Sequence, residues 1–101
     1  MWIEVLGAPP HVTAQIRAYA EYRVFSRLAP MARDVHAVLV VLSRVRGTGK
    51  TVCAVSADLG TAGTVRVRTR HAHPSGAIDA AADRLATAAR SRVPAVPAAA
   101  R

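Results

Sequence analysis

A chain of 101 residues in which 51% are apolar is long enough for one domain with a modest core, and this composition excludes a disordered protein. Lysine and arginine total 14 against 6 acidic residues, a net charge of +8, and every basic residue except Lys50 is an arginine. Arginine pairs phosphate through two nitrogens, so this bias favours a nucleic-acid partner. The lone Cys53 excludes a disulfide framework, and no apolar run approaches the ~20 residues of a membrane span. We therefore expect a soluble cytoplasmic protein.

The first half of the chain predicts a strand, a helix and a longer strand. Residues 2–6 alternate as a short strand, which the Gly and Pro residues at 7–10 end. Thr13 is a suitable N-cap for a helix that runs to about Leu28, just before Pro30. Residues 35–46 form the longest predicted strand, and a Gly-Thr-Gly turn follows it.

The second half predicts two more strands and a helix. Residues 51–59 form one strand, and residues 65–70 form the next after a turn at 60–63. In the latter, Val65, Val67 and Thr69 alternate with three arginines. Pro74 suits the first turn of a helix over about 75–91. We expect a domain over residues 1–92, with residues 93–101 as a flexible Pro/Ala tail or a truncated linker.

The resulting order, β-α-β-β-β-α, predicts an α+β fold. The first β-α-β step joins parallel strands, the remaining strands form an antiparallel meander, and both helices cover one face of a four-stranded sheet. Alternation assigns two groups of residues to the open face: Arg44, Arg46, Arg66, Arg68 and Arg70, and the apolar Trp2, Leu6, Val38, Val40 and Leu42. Five arginines on one face repel one another, and a phosphate-rich partner would relieve that repulsion.

Other motifs give weaker indications of chemistry. The GTGKT segment at 47–51 resembles the end of a phosphate-binding P-loop, but Arg44 stands where the first glycine is needed and the segment joins two strands, so a hairpin turn is the better interpretation. His71 and His73 are too few ligands for a structural zinc. Cys53 falls on the predicted core face, and Asp79 and Asp83 suit the N-terminal half of a helix. We predict no enzyme, no cofactor and no metal.

Four segments resemble the ribosome hibernation-promoting factor family, over roughly residues 1–92. They are the opening strand that ends in Gly7, the helix start with Ile16, Arg17, Tyr19 and Arg23, the strand VHAVLVVLSRV at 35–45, and AID-xxx-DRL at 77–85. The last is the most specific.

The resemblance implies a protein that binds the small ribosomal subunit where mRNA and tRNA lie, and idles ribosomes under stress by occlusion. It also implies that Arg17, Arg23 and Arg84 contact RNA. With the open-face arginines, the predicted RNA-binding set is Arg17, Arg23, Arg44, Arg46, Arg66, Arg68, Arg70 and Arg84. One alternative is a general double-stranded RNA-binding module. Another is a protein that self-associates through Trp2, Leu6, Val38, Val40 and Leu42.

Overall fold

The computed structural model describes residues 1–93, and its elements follow the order β-α-β-β-β-α. They are β1 (Trp2–Leu6), α1 (Ala14–Leu28), β2 (Ala37–Arg44), β3 (Thr51–Asp58), β4 (Thr64–His71) and α2 (Pro74–Arg92), with short 3-10 helices at Ala29–Met31 and Gly60–Ala62. The predicted fold class is confirmed. The predicted tail lies, from residue 94 onward, outside the described residues.

The four strands form one sheet in the order β1-β2-β3-β4. β1 and β2 are parallel, so the chain crosses the sheet through α1 between them, while β2, β3 and β4 pair antiparallel. The two helices pack against each other and against one face of the sheet, and the buried residues of both helices and of that face form the main hydrophobic cluster.

Local signals fix where each helix begins. The Thr13 hydroxyl accepts a hydrogen bond from the backbone N–H of Ile16 at 3.1 Å, as expected of an N-cap. Pro74 occupies the first turn of α2. The buried face of this helix consists mostly of alanines, together with Ile78 and Leu85. The buried Thr69 hydroxyl of β4 donates to the Ala77 carbonyl at 2.7 Å, which satisfies a polar group inside the core and ties β4 to α2.

The assignment of faces in β2 was wrong. Val38, Val40 and Leu42 are 1%, 0% and 3% exposed, because they lie on the face that the helices cover. Arg44 follows the same alternation and therefore lies on the helix side at the end of β2, whereas Arg46 lies in the turn beyond the strand. Both sides of β2 are apolar, so alternation alone could not identify its buried face.

The open face consequently carries a different apolar patch from the predicted one. Trp2 and Leu6 remain on it, and they are 69% and 44% exposed. The register places Val41 of β2 opposite Leu6, and Leu39 opposite Glu4, the exposed residue between Trp2 and Leu6 on this face, in place of the three buried residues. This patch of Trp2, Leu6, Leu39 and Val41 is called the open-face patch below.

Candidate nucleic-acid interface

Three arginines of β4 form a row on the open face, as predicted. Arg66, Arg68 and Arg70 are exposed, whereas Val65 and Thr69 on the opposite side of the strand are buried. Within residues 1–93, none of the three guanidinium groups has a hydrogen-bond or ion-pair partner. These three residues, the arginine row, therefore offer charge to a partner without first breaking an internal contact.

A shallow apolar groove lies beside the arginine row. It has a volume of about 390 Å³, and its lining includes Leu39, Val41 and Ala54 together with Arg66 and Arg68. Positive charge suits the phosphates of a nucleic-acid strand, and the apolar surface beside it is aliphatic, with no aromatic residue in the groove lining. The open face thus presents positive charge and apolar surface side by side.

Two predicted RNA-binding residues of α1 are held by partners within the protein. Arg17 donates through both terminal nitrogens, to the carbonyl oxygens of Val5 and Gly7, and so ties α1 to the end of β1. Arg23 donates from Nε to Asp79 Oδ1 at 2.9 Å. Arg84 of α2 is exposed, as a contact residue would need to be.

Asp79 is shared between two donors of α1. The Tyr19 hydroxyl donates to Asp79 Oδ1 at 2.6 Å, the same oxygen that receives the Arg23 hydrogen bond. This hydrogen bond to the carboxylate raises the pKa of Tyr19, and the corresponding bond raises the pKa of Arg23. Asp79 therefore links the two helices.

A second ion pair joins α1 and α2 one turn further along. Arg27 Nε lies 2.9 Å from Asp83 Oδ1, although the pair is not aligned as a hydrogen bond. Sequence reasoning gave both aspartates a role in the helix dipole and missed these pairs. The available signal was their spacing, since Arg23 and Arg27 are four residues apart on one helix, as are Asp79 and Asp83 on the other.

A second basic surface lies at the end of the sheet where β1 and β2 finish. Arg44 Nη1 lies 2.9 Å from His11 Nδ1, and Arg44 Nε donates to the Gly49 carbonyl at 3.3 Å. These residues and Arg46 line a cavity of about 630 Å³ that has no acidic residue in its lining. His73 lines the adjoining pocket, which shares His11 and Arg44 with the cavity.

The motifs that resembled catalytic or nucleotide sites have structural roles. Residues 45–50 form the hairpin between β2 and β3, with Gly47 and Gly49 at φ of +83° and +70°, which confirms the turn. Cys53 is buried as predicted, and burial raises the pKa of its thiol to about 12. Among residues 1–93, no cluster of three or more potential metal ligands occurs. In the same range, no helix has the length and apolarity to cross a membrane.

The fold and surface define a two-layer α+β domain with a basic open sheet, and the structural comparison gives its family. The N-terminal domain of Thermus thermophilus Protein Y superposes with a TM-score of 0.74 and 31% identity over 90% of this chain and 98% of that chain. The chain belongs to the Protein Y family of ribosome hibernation-promoting factors, which confirms the resemblance seen in its sequence.

A second structure shows the same fold at much lower identity. A ribosomal subunit interface protein from Coxiella burnetii superposes with a TM-score of 0.76 and 14% identity over 90% of this chain and 96% of that chain. At this identity, the likeness shows the fold alone. No family model and no curated protein matches the chain.

Proposed function

We propose that this protein binds the small ribosomal subunit, occupies the region of mRNA and tRNA, and idles ribosomes under stress. Membership in the Protein Y family is the observation that carries the proposal. The net charge of +8 and the unpartnered arginine row support an RNA-rich partner. A ribosomal partner would place the protein in the cytoplasm.

The geometry suits contact with a phosphate backbone. Alternate residues of a strand lie ~6.6 Å apart, so the arginine row presents three charges at a spacing close to that of successive phosphates. Arg84, and the part of Arg23 that its Asp79 contact leaves exposed, supply candidate contacts on the helix side. Arg17 remains a candidate, although it already has two carbonyl partners. Occlusion of this kind requires binding alone, with no catalysis.

Co-sedimentation with purified 30S and 70S particles over a salt series tests the proposal. We expect binding to 30S and 70S that weakens steeply with salt, because each neutralised phosphate releases counterions. Translation should fall in proportion to the occupied subunits and recover after a high-salt wash. Inactivation that persists after complete removal would contradict occlusion. Equal affinity for free duplex RNA would instead favour a general RNA-binding module.

Self-association is the second candidate function, because Trp2 on the open-face patch is 69% exposed. An apolar surface of this kind is a common site of protein contact. Light scattering of the protein alone tests it. A monomer at every concentration would exclude it, and a dimer that a Trp2→Ala substitution dissociates would support it.

A further inference from the structure

We propose that the cavity at the end of the sheet is a second binding site, in which Arg44 and His11 together contact a phosphodiester group of a nucleic-acid strand. Both residues line the cavity, and its lining also contains Arg46 and no carboxylate. This proposal rests on the proposed function in one respect, because it assumes that the phosphodiester belongs to RNA. It is distinct from the arginine row, because Arg44 lies on the other side of the sheet.

Arg44 is held in one geometry before any ligand binds. Its Nε donates to the Gly49 carbonyl at 3.3 Å, and its Nη1 lies 2.9 Å from His11 Nδ1. A guanidinium carries five N–H donors, so these two contacts leave others for an anion. A side chain that is already fixed loses less conformational entropy on binding, which favours affinity.

Gly49 supports this arrangement through its backbone. Its φ of +70° is a conformation that side chains disfavour, and in this conformation its carbonyl accepts from Arg44 Nε. A larger residue would therefore strain the turn that presents this carbonyl. A Cβ at this position would meet Arg44 Nη2 only at van der Waals distance, 3.4 Å.

His11 supplies a second donor beside Arg44. A guanidinium can only donate, so His11 Nδ1 accepts from Arg44 and the ring proton is on Nε2. The other charged or imidazole groups that line this region are Arg46 and His73, neither of which is acidic. An anion in the cavity would therefore meet donors and no carboxylate.

The two basic sites can serve one nucleic-acid strand. Arg44 is in register with Thr51, which is in register with His71 at the end of β4. Two strand spacings separate these ends, a distance of about 10 Å. A nucleic-acid strand that follows the arginine row toward Arg70 therefore reaches the end of the sheet close to the cavity.

Binding of a short single-stranded oligoribonucleotide, followed by backbone amide NMR and a salt series, tests the site. We expect the backbone amides of Ala8, His11 and residues 43–49 to shift, and Arg44→Ala to weaken binding about tenfold, as loss of a charge-assisted contact does. The salt slope should fall by about 0.7. Arg90→Ala is the matched control, since it removes the same charge from an exposed residue in the last turn of α2.

Substitution of His11 tests the second side chain of the site. His11→Gln should weaken binding of the same oligonucleotide several-fold, whereas His36→Gln, at the opposite end of β2, should preserve it. Equal loss in both variants would overturn the assignment to His11.

Inorganic phosphate distinguishes a nucleic-acid site from a site for free phosphate. Shifts of the cavity amides with the oligonucleotide support the proposal, and shifts with inorganic phosphate alone overturn its assignment to a nucleic-acid strand. If Arg44→Ala binds both the oligonucleotide and 30S as the wild type does, the site fails while the proposed function stands. If 30S does not bind but the oligonucleotide shifts the cavity amides, the function fails and the site stands.

Discussion

The two faces of the sheet carry side chains of the same polarity along β2 and of opposite polarity along β4. In β2, Val40 of the covered face and Val41 of the open face are the same residue type, yet they are 0% and 36% exposed. In β4, Val65 points into the core while Arg66 points to solvent. The composition of one strand therefore does not decide which face is buried. The packing of the two helices determines which face is buried, and β4 is the strand whose sequence already indicates that face.

Substitution of Val40 or Val41 by aspartate is the strongest test of this difference between the two faces. Val40→Asp places an unpaired carboxylate in the core and should cost about 3–5 kcal/mol, enough to unfold a marginally stable domain. Val41→Asp on the open face should change the stability by about 0.5 kcal/mol or less. Urea denaturation of both variants measures the difference. Equal losses would show that a partner or a second copy of the chain covers the open face.

The same contrast explains which parts of the fold were predictable from sequence. The arginine row was correctly placed because strict alternation of valine or threonine with arginine has only one interpretation. Val38 and Leu42 were misplaced because the neighbouring Leu39 and Val41 are equally apolar. The Arg23–Asp79 pair spans 56 residues. The matching four-residue spacings on the two helices are compatible with such a pair, but they do not show which helix faces meet, because that depends on how the helices pack.

The reactivity of thiols at two adjacent positions of β3 compares the covered face of the sheet with the open face. Cys53 faces the core and its pKa is raised to about 12, so very little thiolate exists at neutral pH. Ala54 faces the open groove. In the Ala54→Cys variant, a thiol reagent at about pH 8 should modify the new cysteine at least about a thousandfold faster than Cys53, because thiolate is the reactive form.

Stoichiometry provides the control for the thiol experiment. The native variant should consume one equivalent of reagent, and the denatured variant two. Rapid modification of Cys53 in the native wild type would contradict its burial and show that β3 opens locally.

Replacement of the arginine row tests whether the open face is the binding face. Arg66→Ala, Arg68→Ala and Arg70→Ala together should weaken 30S binding and flatten the salt slope by roughly two units, since at least two phosphate contacts are lost. The fold should persist, because Val65 and Thr69 on the covered side are unchanged. Co-sedimentation over a salt series measures both effects.

A second triple variant with the same net charge is the control for the arginine row. Arg33→Ala, Arg90→Ala and Arg92→Ala remove three exposed charges away from the open face. If both triple variants lose affinity equally, only the net charge matters. If the row variant keeps wild-type affinity and slope, the contacts belong to the helix side, at Arg17, Arg23 and Arg84.

Asp79→Asn should have the smallest effect, and it probes the helix side. The asparagine keeps the shape of the carboxylate but weakens the acceptor of the Tyr19 hydrogen bond, the main cause of the raised pKa of Tyr19, and also removes the negative charge, so that pKa should fall toward its usual value. A folded-state pKa above the unfolded value gives stability that is present below about pH 10 and is lost as the pH rises through the folded pKa. The wild type should therefore lose stability at alkaline pH more steeply than the variant.

Asp83→Asn is the matched control for Asp79→Asn, because it makes the same charge change at an aspartate that contacts Arg27 and no tyrosine. Ultraviolet titration of tyrosine and urea denaturation at neutral and alkaline pH distinguish the two variants. Asp79→Asn also releases Arg23 from its ion pair, so 30S binding should tighten a few-fold at most, beyond any change in Asp83→Asn. If the two variants bind 30S alike, Arg23 does not contact RNA. If they titrate alike, the Asp79 hydrogen bond does not raise the pKa of Tyr19.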